Sequence, residues 1–218
     1  MNYLDRPYFA AGTGVPDWLT VCDRGVRLRV KHVEAFLRGK DISRTEAEIA
    51  EGILRHILDD RLFHQSRPFA ELSLNLTVEV RDALEPDAGF RPGFLGHLLV
   101  EVLLDASLVA DNPRLLEEYY RVMEAVDPAK IENVVNEIAT RRTERLAIMI
   151  SRFTRERILC DYREDAKLMV RLNQVMRRVK LAPLPESFIE LLPRAREMVE
   201  RRRGELLEGI VYGTSSTL

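Results

Sequence analysis

The sequence lacks the features that assign many chains to a class. It has 2 cysteines in 218 residues, too few for a disulfide framework, and this predicts a reducing compartment such as the cytoplasm. It contains no glycine-rich phosphate loop, no Gly-x-Ser-x-Gly motif and no Cys-x-x-Cys pair, so nothing predicts P-loop, serine-hydrolase or thiol-redox chemistry. No stretch reaches the roughly 20 uninterrupted apolar residues of a membrane span, and residues 1–14 lack the apolar segment of a signal peptide. We therefore expect a soluble, cytoplasmic protein.

The chain also lacks a large excess of positive or negative charge. The formal net charge is −2, which gives no general electrostatic reason to bind nucleic acid or a membrane. The distribution is uneven, because from Ile131 onward 17 Lys and Arg residues stand against 13 Asp and Glu residues. This basic C-terminal half fits an acidic partner, but the solvated faces of ordinary helices have the same composition.

Apolar residues make up 46% of the chain, enough for one sizeable core. Their spacing is mainly helical. One segment alternates as a strand would, at Leu72, Leu74, Leu76, Val78 and Val80, but no second strand offers it a partner, so we predict a helix there as well. The predicted fold class is all-α: a single-domain bundle of eight or nine helices over residues 1–212, followed by a disordered tail at 213–218.

Capping residues and prolines give the helix boundaries. Ser43 with Glu46 three residues later forms a capping box, and Asn112-Pro113 and Asp127-Pro128 are typical helix starts. From these signals we predict an irregular segment over 1–16 and a helix over 17–38. A second helix runs from the capping box to the region of Pro68, and a loop covers 86–92. Further helices are predicted to begin at Pro92, Pro113 and Pro128, with two helices within 131–180 and a last helix over 186–208.

Three of the four histidines lie in two segments with the same polar spacing. The first carries His56, Asp60 and His64, and the second carries His97, Glu101 and Asp105. Residues at i, i+4 and i+8 of a helix stay within an arc of about 80°, so each trio is expected on one helix face. Two such faces opposite each other would resemble the interior of a metal-dependent hydrolase.

The alternative is that each pair is an ordinary i,i+4 ion pair on a solvated helix face. The surroundings favour a site instead. Asp60 and His64 fall within the apolar arc of their helix, and residues 95–109 are apolar except at five positions, so the charged groups are expected to point inward, where burial is costly unless they are paired or bind a metal. His56 and His64 lie about 12 Å apart along the axis and cannot share one ion.

A site with both imidazole and carboxylate ligands suits Mn²⁺, Fe²⁺ or Zn²⁺ better than it suits ions that prefer oxygen ligands alone. Such an ion would generate hydroxide near neutral pH and stabilise charge on a phosphoryl oxygen.

Several short motifs follow one another along most of the chain: Met1-Asn2-Tyr3-Leu4, Gly12 to Leu19 with Asp17, Gly52…His56…Asp60, Glu101…Asp105, Tyr162-Arg163-Glu164, Leu172-Asn173 and Arg178. Together they resemble the acyl carrier protein phosphodiesterase family. Members of that family are all-helical relatives of the HD-type metal phosphohydrolases, and their type activity is divalent-metal hydrolysis of the phosphodiester that joins 4′-phosphopantetheine to a serine of acyl carrier protein.

The resemblance implies a metal or catalytic centre. His56, Asp60 and Asp105 would ligate a divalent ion (Mn²⁺, Fe²⁺, Zn²⁺ or Mg²⁺), and Asp17 would orient or deprotonate the attacking water. His64, His97 and Glu101 would be additional ligands or would support the ligands.

The chain departs from the family pattern at four positions. Arg6 stands where the family usually has His, His64 where it has a second Asp, Glu101 where it has Asp, and His97 has no family counterpart. An acidic carrier protein is expected to dock on the basic half, at Arg141, Arg142, Arg145, Arg177 and Arg178. The alternative is a non-catalytic helical protein of the same fold that acts as a binding module.

Overall fold

A computed structural model describes residues 3–85 and 89–213. Over these ranges the chain forms ten α-helices, three short 3-10 helices and no strand. The α-helices are α1 (Pro7–Cys22), α2 (Val30–Leu37), α3 (Arg44–Gln65), α4 (Arg67–Ala83), α5 (Pro92–Asp111), α6 (Pro113–Ala125), α7 (Pro128–Ile138), α8 (Leu146–Glu156), α9 (Asp165–Arg178) and α10 (Leu192–Gly213); the 3-10 helices are Tyr3–Asp5, Ile158–Arg163 and Glu186–Leu191. The all-α prediction is confirmed, with more helices than the eight or nine expected.

The local capping signals are confirmed. The Ser43 amide donates to Glu46 Oε2 (2.6 Å), and the Glu46 amide donates to Ser43 Oγ (3.3 Å), which is the reciprocal capping box at the start of α3. Asp127 Oδ1 accepts from the Ala129 amide (2.9 Å) at the start of α7. The alternating segment 72–80 lies in α4, as predicted.

Two predictions for the N-terminal region are wrong. Residues 7–16 are not irregular, because Pro7 opens α1 and Pro16 lies within it. Residues 17–38 are not one helix, because α1 ends at Cys22. Asp23 makes a turn there, accepting from the Gly25 amide (3.3 Å) and from the Arg141 guanidinium (2.7 Å).

The segment 131–180 contains more than the two helices predicted. After α7 the chain turns, and the Asn136 side chain both donates to the Thr143 carbonyl (2.9 Å) and accepts from the Thr143 amide (2.8 Å). After α8 it turns again at Arg157, whose φ of 46° is in the left-handed region. Hydrophobic spacing reveals neither the Asn136–Thr143 hydrogen bonds nor the backbone conformation of Arg157.

Some predictions fall outside the described residues. Met1 and Asn2 of the opening motif and residues 86–88 of the predicted loop are among them. The predicted tail also lies outside the described residues, apart from Gly213, which ends α10.

The chain divides into two compact units, residues 1–60 with 114–157 and residues 61–113 with 158–218. Helix α3 contributes to both units. The prediction of one domain over 1–212 stays a prediction.

The first unit is built around the buried faces of α1, the first half of α3, and α6 to α8. Trp18 of α1 packs on Phe153 of α8 with ring centroids 5.3 Å apart, and Phe153 also contacts Tyr120 of α6 at 5.8 Å. All three aromatic residues are buried, so they join three helices into one core.

The second unit is built around α5, which packs on α4, on α10 and on the 3-10 helix Ile158–Arg163. Leu95, Leu99 and Leu103 of α5 are at most 2% exposed. In the described part of the chain, α5 is also the helix long and apolar enough to cross a membrane. The core helix of a water-soluble protein meets the same criterion, so this is weak evidence about location.

Candidate metal centre

His64, His97 and Glu101 come together in the second unit. Nε2 of His64 lies 2.7 Å from Oε1 of Glu101, and Nε2 of His97 lies 3.1 Å from the same oxygen. The three potential ligand atoms all lie within 4.8 Å of one another. In the ranges that the structure describes, these residues form the group of His, Cys, Asp or Glu side chains that could hold a metal ion. The side chains are 26%, 44% and 37% exposed, respectively, so the cluster is open to solvent on one side.

The local sequence accounts for this placement. His97 and Glu101 are one helical turn apart on α5, so they share a face. Gly96 lets α5 approach α4 closely, because a Cβ atom at this position would lie 2.5 Å from Thr77 Oγ1 and 2.7 Å from the Ser73 carbonyl oxygen. His64 is in the last turn of α3, from which it reaches Glu101 across 37 residues of sequence.

The two imidazoles are stacked on each other and in contact with one phenyl ring. The His64 and His97 ring centroids are 4.7 Å apart, with 21° between the ring planes. The Phe69 ring stands nearly perpendicular to both, 4.7 Å from His64 and 4.8 Å from His97. Phe69 is 4% exposed, so a buried ring supports the partly open pair.

Glu101 carries the negative charge of the cluster. Burial alone would raise the pKa of Glu101, but the hydrogen bonds and positive charge of His97 and His64 outweigh burial, and the pKa is lowered. An ionised carboxylate can only accept. Both Nε2 atoms therefore carry a proton when they bond to it.

Of the residues that the family resemblance implies, Asp17 and His56 lie near each other in the first unit. His56 Nε2 is 3.8 Å from Asp17 Oδ1. Asp17 lies inside α1, so the helix start predicted at residue 17 is wrong. Its side chain is 75% exposed, whereas that of His56 is 20% exposed.

The expectation that the whole polar stripe points into the core is wrong in part. Asp60 and Asp105 are exposed, because the buried residues of α3 lie mainly in its first half and Asp105 is on the polar face of α5. Asp60 belongs to the first unit and Asp105 to the second. Their role as ligands stays a prediction.

The departure at Arg6 has a structural counterpart. Its guanidinium forms ion pairs with Glu51 and, at 3.6 Å, with the buried carboxylate of Glu48, and it lies over the Phe9 ring. A residue engaged in this way is a structural cation, since arginine is not a metal ligand at neutral pH.

The five arginines predicted to bind a partner are divided between the units. Arg141 donates to Asp23 (2.7 Å) and Arg145 to the Cys22 carbonyl (3.5 Å) in the first unit, where Arg142 is exposed. Arg177 and Arg178 are in the last turn of α9 in the second unit. Partner binding at these residues stays a prediction.

Two residues that shape the cluster gave no signal in the sequence. Phe69 is one of several apolar residues on α4, and Gly96 is one glycine among 11. The contact of His64 with Glu101 joins helices distant in sequence, which helical spacing does not predict.

Comparisons of this chain with protein-family models, with curated proteins and with solved structures found no significant match.

Proposed function

We propose that this protein binds a divalent transition-metal ion at His64, His97 and Glu101 and uses it to hydrolyse a phosphoric ester. The observation that supports this most is the convergence of two imidazole Nε2 atoms on one carboxylate oxygen, at 2.7 and 3.1 Å. Two histidines and one carboxylate are the protein ligands of several catalytic metal sites.

The dimensions of the cluster fit such an ion. A tetrahedral ion with bonds of about 2.0–2.2 Å holds its ligand atoms roughly 3.4 Å apart. The two histidine–glutamate distances are shorter than this by less than 1 Å, so small side-chain rotations would admit the ion in place of the two Nε2 protons. Because the cluster is partly exposed, a fourth position would face solvent and could take water or a substrate oxygen.

The bound ion would supply a nucleophilic hydroxide near neutral pH and stabilise charge on a phosphoryl oxygen. The mixed nitrogen and oxygen ligands favour Zn²⁺, Mn²⁺ or Fe²⁺ over Mg²⁺. The chain's own contribution is to hold the two imidazoles in place and to keep the Glu101 carboxylate ionised, because the lowered pKa of Glu101 leaves it charged at neutral pH.

The finer assignment follows the family resemblance and is part of the proposal. It adds an HD-phosphohydrolase-like fold, Asp17 as the residue that orients water, and His56, Asp60 and Asp105 as ligands. It also adds a phosphodiester substrate on an acidic carrier protein and a cytoplasmic location. The 3.8 Å separation of Asp17 and His56 supports a polar pair there.

Metal analysis and phosphodiester hydrolysis test the proposal together. Purified protein is dialysed against a chelator, reloaded with Zn²⁺, Mn²⁺ or Fe²⁺, and assayed with bis(p-nitrophenyl) phosphate. We expect about one ion per chain and chelator-sensitive hydrolysis, both lost in Glu101→Gln and in His97→Ala. His32→Ala is the matched control, because it removes a histidine outside the cluster.

The same assay separates the two ligand sets. If Asp60→Asn and Asp105→Asn both leave hydrolysis intact while Glu101→Gln abolishes it, the centre is the His64–His97–Glu101 cluster and the residues implied by the resemblance are not ligands. The reverse pattern would refute the cluster as the metal site.

A second candidate function is that of a non-catalytic binding module. One observation favours it: both histidines pair with the Glu101 carboxylate, as they would in a purely structural cluster. Absence of both metal and hydrolysis in the wild-type protein would support this candidate.

A further inference from the structure

We infer that Phe69 is a positioning residue for the metal ligands, because its ring fixes the orientation of His64 and His97 at the same time. The inference rests on the proposed function and adds a residue to it. Phe69 itself touches neither the ion nor the substrate in this proposal, since a phenyl ring offers no ligand atom.

The three rings form a nearly equilateral triangle. The centroid distances are 4.7 Å between the two imidazoles, 4.7 Å from Phe69 to His64, and 4.8 Å from Phe69 to His97. The Phe69 plane is at 77° to one imidazole and at 84° to the other. Rings in this arrangement attract each other edge to face.

Phe69 is itself held firmly. Its amide donates to Oγ of Ser66 (3.3 Å), and Ser66 is the N-cap residue of α4. Its ring packs on Phe63 with centroids 4.8 Å apart, and both rings belong to the core of the second unit. The phenyl ring therefore acts as a fixed point of the core.

The histidines need such a fixed point because they are partly exposed. Glu101 restrains only the Nε2 end of each imidazole, and the His97 side chain is 44% exposed. Without Phe69, each imidazole loses an edge-to-face contact that limits its rotation about the Cβ–Cγ bond, and ordering the rings again would weaken metal binding. Loss of a group that orients a metal ligand typically lowers metal affinity by about 10–100-fold.

The test is Phe69→Leu in the full chain, with Phe188→Leu as the matched control. Phe188 is in the same core and fully buried, so its substitution also removes a buried ring. Zn²⁺ affinity is measured by competition with a chromophoric chelator, and ligand geometry by the visible absorption of the Co²⁺-loaded protein.

We expect Phe69→Leu to weaken Zn²⁺ binding about 10–100-fold and to alter the Co²⁺ spectrum, while Phe188→Leu leaves both close to wild type despite lower stability. Phe69→Tyr, which keeps the ring, should bind Zn²⁺ more tightly than Phe69→Leu. Should Phe69→Leu not fold, Phe69→Met also lacks the ring and fills the space more flexibly.

The outcomes are separable. A wild-type protein that binds neither Zn²⁺ nor Co²⁺ would overturn the proposed function and this inference with it. A wild-type protein that binds Zn²⁺, together with a Phe69→Leu variant of equal affinity and unchanged Co²⁺ spectrum, would overturn the inference alone.

Discussion

Gly12 in α1 and Gly52 in α3 meet without side chains between them. A Cβ atom added to Gly52 would lie 3.0 Å from the Cα of Gly12 and 2.2 Å from the carbonyl oxygen of Phe9. The two helices can approach this closely only because both residues are glycine. His56 lies one turn after Gly52, and Asp17 lies five residues after Gly12, so the same contact accounts for the nearness of these two side chains.

We therefore expect Gly52→Ala to destabilise the protein by about 1–3 kcal/mol or more, since the new methyl group meets backbone atoms that cannot rotate away. Chemical denaturation measures the change. Gly204→Ala is the matched control, because Gly204 lies within α10 and a Cβ there meets nothing within 4 Å. This control should gain about 0.5–1 kcal/mol. Equal stability of the two variants would contradict the close contact.

Metal binding should stabilise the folded chain. An ion present at 100 times its dissociation constant adds about 2.7 kcal/mol to the free energy of unfolding when it binds only the native state. We expect Zn²⁺ to raise the melting temperature of the wild-type protein and of His32→Ala, and chelator to reverse the rise. Glu101→Gln should show no such rise, because it loses the charged ligand. A rise of the same size in Glu101→Gln would place the ion elsewhere.

Glu101 should also make stability depend on pH in the metal-free protein. Its pKa is lowered in the folded state, so the ionised form is stabilised by folding. This contribution is fully present above the ordinary carboxyl pKa of 4.5 and is lost as the pH falls through the lower, folded-state value. The stability difference between wild type and Glu101→Gln, measured by urea unfolding, should therefore shrink as the pH falls below that ordinary value. A difference that grows over this acidic range would contradict the assignment.

Arg6 should contribute to stability more than Arg44. Both pair with the buried carboxylate of Glu48, but Arg6 is 26% exposed and Arg44 is 88% exposed. Among the residues that the structure describes, Arg6→Ala leaves Glu48 paired with the solvated Arg44 alone, which we expect to cost about 1–3 kcal/mol. Arg44→Ala removes a surface pair worth about 0–1 kcal/mol. Thermal and chemical unfolding of the two variants should show this order, and the opposite order would mean that Arg44 is the main partner.

The sequence was sufficient at helix starts that carry a capping residue. The capping box of Ser43 and Glu46 and the cap at Asp127 depend on residues within a few positions of one another, and both were predicted. The contact of His97 with Glu101 in the metal cluster is local in the same sense, since the two residues are one turn apart on one helix.

The failures share a physical cause. The prediction of irregular chain over 1–16 fails because Pro16 is tolerated inside α1 and Gly12 is needed there for contact with α3. The contact of His64 with Glu101, and that of Phe69 with both histidines, depend on how α3, α4 and α5 pack. Spacing along one helix carries no information about its neighbour, so the two histidine trios were identified without their correct pairing.

The division of the chain has a consequence for how the protein can be made and dissected. Each compact unit is assembled from two separated stretches of sequence. The first unit cannot close until the chain has been synthesised as far as Arg157, although its first 60 residues are made long before. Domains that fold as units usually do so in the order of synthesis, but here the stretch 61–113 must wait, with its apolar α5, for partners in α10. No single cut in the sequence separates the two units, because a chain that ends at Arg157 holds the first unit together with the 61–113 part of the second.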